Sequence, residues 1–440
     1  MPSGSAGPDA ARAERGVAGG PPPAPPPGSP RALVTIVGWG VVATYLGWPQ
    51  LLARLPLGLS LKNELGLPPQ ELAAFWAVAT IPWYLKPVVG LFVDATLLGG
   101  ARRRAYLLLA SLAASLAWLA FALVPRAYAP LLVVAVAVNA ALALLSTNVG
   151  GLLVELGQRH GATGRLSALR QTLVGGINLV AGPVGGWLAG RAFGWTVGLG
   201  ALIVGSFVPV VAMLWRAPPS AGAPRGAAVE PPPVRRHLAA TLRSRPTLTA
   251  AALVFLVYVA PGLQTPLLYY QQDVLHFDPL FMGLLQTWAG AGVILGALAY
   301  GIVCRFVPLG VSLAAGIVLS AASTLSFLAY DSRAAAVVIH LLSATVGTLA
   351  VMPLYDLAAR AAPRGSESFG YALVLGVQTL ATYGVSDLVG SYLYGHVHLT
   401  FKQLIWADAL STLAVLAFLP ALPRALLAGR EGAAGLGVEA

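Results

Sequence analysis

The sequence predicts an all-α polytopic membrane protein with twelve transmembrane helices in two six-helix bundles. Three observations carry that expectation. The composition is 57% hydrophobic and 10% charged with a mean hydropathy of +0.76, too poor in charge for the surface of a soluble chain of 440 residues. Apolar runs of about 20 residues recur from Leu33 onward, each long enough to cross a hydrocarbon core roughly 30 Å thick. Landmarks recur between the halves at nearly one offset: Pro49 and Pro261 lie 212 residues apart, Glu64 and Asp273 209, Pro69 and Pro279 210. Such self-similarity is the mark of an internal duplication.

Taken in order, residues 1–30 are rich in Pro, Gly, Ala and Ser, with PPPAPPP at 21–27. They bury too little apolar surface to fold and are expected to form a disordered cytoplasmic tail. The first apolar run starts too late and runs too long for a cleaved signal peptide, and Asp9 and Glu14 argue against a transit peptide. The N-terminal bundle, 31–215, holds spans at 33–53, 71–93, 105–124, 129–155, 166–190 and 193–215. The Pro- and Arg-rich segment 216–246 is expected to link the halves. The C-terminal bundle, 247–421, holds spans at 247–271, 280–304, 308–329, 334–359, 368–393 and 401–421, and 422–440 form a second tail. Proline-interrupted helices at equivalent places in two halves point to a transporter's midplane site, which makes the Pro49 and Pro261 breaks the first places to search.

Arginine distribution orients the chain. With the amino terminus inside, the cytoplasmic segments hold nineteen Lys and Arg against six outside, and short basic loops resist translocation. This bias accounts for most of the net charge of +11 and the pI near 10.0. The basic residues form no stripe interleaved with aromatics, so nucleic acid is not an expected partner. Lysines occur only at 62, 86 and 402, and Ala, Gly and Pro abound. That usage suggests a GC-rich genome and a bacterial inner membrane, with both termini cytoplasmic. A single cysteine, Cys304, excludes an intramolecular disulfide and a thiolate metal site. His396 and His398 lack acidic or sulfur partners, and no phosphate-binding loop is present. No metal, cofactor or enzymatic activity is expected, and any transport would be secondary, driven by a gradient or by exchange.

One stretch carries a family resemblance. Pro82-Trp83, then Leu85-Lys86-Pro87, Gly90, Asp94, the triplet Arg102, Arg103 and Arg104, and Tyr106-Leu107 resemble the signature of the folate-biopterin transporter family, a branch of the major facilitator superfamily. Residues 61–67 upstream, and Met352-Pro353-Leu354, Ala358-Ala359-Arg360 and Pro363 downstream, extend the similarity over roughly residues 33 to 421. The resemblance implies an alternating-access carrier in membrane lipid, moving a folate- or pteridine-like solute; a monomer, and a proton as coupling ion, are expected beside it. It gives the turn of Asp94 and Arg102 to Arg104 the role of cytoplasmic gate. It gives Lys86 an internal role, toward an anionic substrate or an acidic side chain. Snorkelling to the headgroups is the alternative.

In that fold spans 1, 4, 7 and 10 line the cavity. Their candidates are Tyr45 and Trp48; Asn139, Ser146 and Asn148; Tyr258 and Gln264; and His340 and Ser343. Aromatic faces would stack a fused heterocycle, and amide or hydroxyl groups would meet its edge. Span 11 adds a polar face: Gln378, Thr382 and Ser386 form one stripe and Thr379, Tyr383 and Asp387 the next. Asp387 is the proton-coupling candidate. Hydrogen bonding to a ligand, or hydration near the outer surface, would equally account for a carboxylate there. Gly175, Gly182 and Gly186 in span 5 read as an interhelical seam. The chain departs from the family in span 4, where Ser146-Thr147-Asn148 stand in place of acids and only Glu155 follows. A carrier for an unrelated organic solute is therefore the rival within transport. A non-transporting membrane receptor or scaffold is the rival outside it.

Overall fold

The computed structural model describes residues 30–89, 100–160, 163–215, 243–303, 306–361 and 367–421, which are helical apart from short turns. The N-terminal half comprises α1 (Pro30–Leu46), α2 (Pro49–Leu52), α3 (Arg54–Asn63), α4 (Pro69–Ala79), α5 (Ile81–Tyr84), α6 (Gly100–Ala120), α7 (Tyr128–His160), α8 (Thr163–Ala189), α9 (Phe193–Gly205) and α10 (Phe207–Leu214). The C-terminal half comprises α11 (Arg245–Tyr258), α12 (Gln264–Tyr269), α13 (Pro279–Val303), α14 (Leu309–Leu325), α15 (Arg333–Ala361), α16 (Glu367–Thr379), α17 (Asp387–Gly395) and α18 (Phe401–Ala414). A π-helical turn, Tyr270–Val274, follows α12, and a π-helical segment, Leu380–Ser386, joins α16 to α17. We call the end that carries Arg103 and Arg104 proximal, and the end that carries Asn63, His276 and Arg333 distal.

Among the described residues, eight helical stretches are long and apolar enough to cross a membrane: those at 128–153, 172–189, 193–214, 279–303, 309–329, 333–358, 372–395 and 401–420. They coincide with expected spans 4 to 6 and 8 to 12. The first, second and seventh are interrupted by proline, and the third carries Arg103 and Arg104 in its first turn.

The two proline breaks are built differently. Pro49 pushes Trp48 into an extended conformation, φ −74° and ψ 123°. The carbonyl of Gly47 thereby loses its helical partner and accepts the indole N–H of Trp118 at 2.9 Å. The first span then continues through α3 to Asn63, ten residues beyond its expected end, because α2 and α3 resume helical hydrogen bonding at once. At the second break, around Pro261, span 11 supplies the partners. The Gly262 N–H donates to the Ser386 carbonyl at 2.8 Å, and the Ser386 hydroxyl donates to the Ala260 carbonyl at 2.6 Å.

Packing joins the halves most closely through α8 and α13. Gly182 and Gly186 lie against Gly283, Pro279 and Gln286 so closely that a β-carbon on Gly186 would come within 2.5 Å of the Pro279 carbonyl. Close backbone approach of this kind is how helices associate in lipid, where apolar surface alone provides no drive. The main core runs through the N-terminal half and across to Leu268, Tyr269, Met282 and Leu285, all in the distal part of the C-terminal half. The proximal part of that half, around Leu253, Leu313, Leu357 and Val374, forms a separate cluster. Among the described residues, the shared core thus lies at the distal end.

Candidate functional site

Proline chemistry in span 2 creates the centre of the site. Pro82 lies in the first turn of α5 and Pro87 just beyond it, and the helix is interrupted at Thr80 and at Leu85, on either side of Trp83 and just before Lys86. Trp83 is buried and donates its indole N–H to Asn139 Oδ1 at 2.8 Å. Trp48, at the span 1 break, donates to the same oxygen at 2.9 Å. Asn139 gives its own amide N–H to the Ala135 carbonyl at 2.8 Å, which leaves both lone pairs of Oδ1 for the two indoles. The Trp rings lie 5.0 Å apart, and Tyr383 of the π-helical segment meets Trp48 edge-on at 5.8 Å. One buried amide of span 4 therefore fixes the two indoles of an aromatic wall drawn from spans 1, 2 and 11.

Below this wall, toward the proximal end, lie two cations. Lys86 donates to the Ser146 hydroxyl at 2.8 Å and sits 4.9 Å from the centre of the Trp83 ring. Arg170 of α8 donates to the Tyr45 hydroxyl at 2.7 Å and lies within electrostatic reach of Lys86. Among the described residues neither cation has a carboxylate partner. On the C-terminal side Gln378 donates to the Tyr355 hydroxyl at 3.0 Å, and Tyr258 lies beside both.

Asp387 forms a distal roof. Its carboxylate is 2% exposed and accepts the Thr265 backbone N–H at 2.8 Å and the Thr265 hydroxyl at 2.7 Å, while Arg54 Nη2 stands 3.5 Å away. It thus caps α12 from a neighbouring helix and pairs with the opposite half. Further out, Lys62 bonds Asp273 and, at 2.8 Å, Gln272; Gln272 reaches Asn63 at 3.3 Å; and the Tyr269 hydroxyl donates to the Leu67 carbonyl. All these contacts join the two halves at the distal end.

The structure therefore brings together Tyr45, Trp48, Lys86, Asn139, Ser146, Tyr258, Gln378, Tyr383 and Asp387 around one central region. It places His340 elsewhere, in a buried cluster where its ring lies 3.0 Å from the Tyr330 hydroxyl, itself bonded to Gln271. Ser343 offers its carbonyl to Ser323 at 3.0 Å. Gln264 is exposed at the start of α12, and Asn148 is buried against the Leu144 carbonyl. Of the expected gate, Asp94 and the Arg102 side chain lie outside the described residues. Arg103 packs on Gly151, and Arg104 donates to the Ala212 carbonyl near the end of α10 at 3.3 Å. The expected first span ends at residue 53 and leaves Arg54 in the outer segment, but α3 carries it into the protein. Trp83 was visible only as part of a motif. Gln50, Thr80 and Thr265 gave no signal, since common polar residues in apolar runs acquire meaning only through what they face.

Comparisons with known proteins agree with this architecture. The BT1 family profile matches residues 47–435. A protein of Synechocystis sp. named folate-biopterin transporter is 28% identical over 390 residues, which span 84% of this chain and 78% of that protein. Two solved structures share the fold. The D-xylose-proton symporter superposes with a TM-score of 0.67 at 14% identity, over 90% of this chain and 98% of its own. The peptide transporter POT in complex with sulfate gives 0.64 at 16% identity, over 91% and 96%. The likeness to these structures is one of fold, whereas the profile match spans most of the chain: this protein belongs to the BT1 family and is an integral membrane transporter of the major facilitator fold.

Proposed function

We propose that the protein is a secondary active carrier of a folate- or pteridine-like anion, working by alternating access. The observation that carries this reading is the pairing of an aromatic wall, Trp48, Trp83 and Tyr383, with two cations, Lys86 and Arg170, that no described carboxylate neutralises. A flat heteroaromatic ring stacks on the first and its carboxylate tail meets the second. The relative named for folate and biopterin supports the same class. In this reading the molecule consists of two six-helix bundles joined by 216–246 and is closed at the distal end. Residues 102–104 face the cytoplasm of a bacterial cell, and the turn bearing Asp94 gates that side.

Proton coupling fits Asp387. Proton uptake there would weaken its contact with Arg54, the ion pair that ties the halves together at the roof, and so favour distal opening. Uptake of labelled folates, pterins and unrelated organic anions into proteoliposomes, with and without an imposed pH gradient, tests the reading. Saturable pteridine flux that rises with the gradient is the expected result. A folded preparation that moves none of them would refute the substrate class. The Ser146-Thr147-Asn148 sequence favours a second reading, a carrier for another organic anion, because Ser146 meets Lys86 where the resemblance leads one to expect acids. The same panel separates the two.

A further inference from the structure

The polar atoms of the roof are not all engaged. Gln50 is 5% exposed and Thr80 fully buried. The Thr80 hydroxyl gives its proton to the Trp76 carbonyl at 2.7 Å, so it can only accept from Gln50, whose Nε2 lies 2.6 Å away. That fixes the amide orientation and leaves Gln50 Oε1 buried without a partner. One helical turn later Arg54 is held through Nη2 by Asp387, with its guanidinium 5.8 Å from the centre of the Trp76 ring, and Nη1 is likewise buried without a partner. Gln50 meets Thr80 and Arg54 lies over Trp76, so two residues four apart in span 1 face two residues four apart in span 2, which puts the unused acceptor and the unused donor on adjacent turns of one helix pair. Buried unpaired polar atoms are costly, and native proteins keep few of them without a use.

We propose that Gln50 and Arg54 form a recognition subsite that takes a heterocyclic solute by a lactam edge, a ring carbonyl beside a ring N–H. Arg54 Nη1 donates to the carbonyl oxygen, and Gln50 Oε1 accepts from the ring N–H. A simple anion would satisfy Arg54 and leave Gln50 facing a second acceptor. A cation would do the reverse. A lactam edge, with adjacent acceptor and donor, satisfies both, and Trp48, two residues before Gln50, belongs to the aromatic wall. The inference rests on the pteridine reading and sharpens it, by assigning the edge of the ring that enters first and the residues that read it.

The test is equilibrium binding to the full-length protein in detergent, followed by tryptophan fluorescence. The probes are 2-amino-4-oxopteridine and 2,4-diaminopteridine, in which the donor and acceptor at that edge are exchanged. Wild type should favour the oxo compound by about tenfold to hundredfold, the effect of leaving buried polar groups unpaired. Gln50→Met should shrink the preference to within roughly threefold, whereas Gln50→Glu, which keeps an acceptor, should retain it. Equal binding of the two probes by wild type would overturn the subsite and leave the substrate class standing. A preference that survives in a folded Gln50→Met protein would overturn it as well. Binding of neither probe would overturn the substrate class and the subsite together.

Discussion

Lys86 shows how much a single residue depends on its setting. An ammonium inside a span costs about 2.5 to 3.5 kcal/mol on insertion scales, and here it is met by one hydroxyl and one aromatic face. Lys86→Met should leave the fold intact and raise KM for an anionic solute by roughly tenfold or more, with a smaller effect on neutral analogues; a uniform loss for both would mean packing, not charge recognition. Glu64 is a contrasting case at the distal surface. The Arg126 guanidinium, 2.5 Å away, holds its carboxyl below the usual carboxylate range. The folded value is depressed, so this stabilisation is present above the ordinary value of 4.5 and is lost as pH falls through the lowered one. Both partners are about half exposed, which keeps the contribution below about 1 kcal/mol. Arg126→Gln should lower Tm near neutral pH by that small amount and leave the acid end unaffected, so that the acid limb of the Tm profile is flatter.

Among the elements, the broken helices carry the chemistry and the continuous ones the seam. Span 11 combines both, because the π-helical segment Leu380–Ser386 shifts its register by one residue and separates the two polar stripes expected on a regular helix. Ser386 then serves the break at Pro261, Asp387 caps α12 and Tyr383 meets Trp48. The approach of α17 to that break leaves no room for a side chain: a β-carbon at Gly390 would lie 1.9 Å from the Gly262 carbonyl. Gly390→Ala should destabilise the protein by about 1–3 kcal/mol, read as a lower Tm in detergent. Gly176→Ala, with nothing within 4 Å of the added carbon, should be neutral. Equal effects would show that the glycines matter through backbone freedom and not through contact.

At the scale of the whole molecule, polar bridges across the halves gather at the distal end, where Lys62 meets Asp273 and Gln272, and Arg54 meets Asp387. Their arrangement makes the distal closure sensitive to charge. Lys62→Asp should set like charges against each other across the interface and open it, raising the rate at which an impermeant maleimide applied outside labels a cysteine placed at Asn63. Adding Asp273→Lys should restore the original rate. Labelling unchanged in both would show that apolar packing alone holds the distal end shut. Labelling only from inside the cell would reverse the assigned orientation.

The sequence by itself determined the membrane class, the order of spans and the positions of the breaks, because hydropathy, proline and arginine placement are local properties that the bilayer reads one segment at a time. It also made Lys86 and Asp387 conspicuous, since charge within an apolar run stands out. Only the tertiary structure decided what those charges face. Lys86 meets a serine, Asp387 meets Thr265 and an arginine that seemed to belong to a loop, and His340 joins Tyr330 away from the central region. Both partners of Asp387, Thr265 and Arg54, come from helices more than a hundred residues away. Periodicity can give the face on which a residue lies, but only the packing of helix against helix selects its partner.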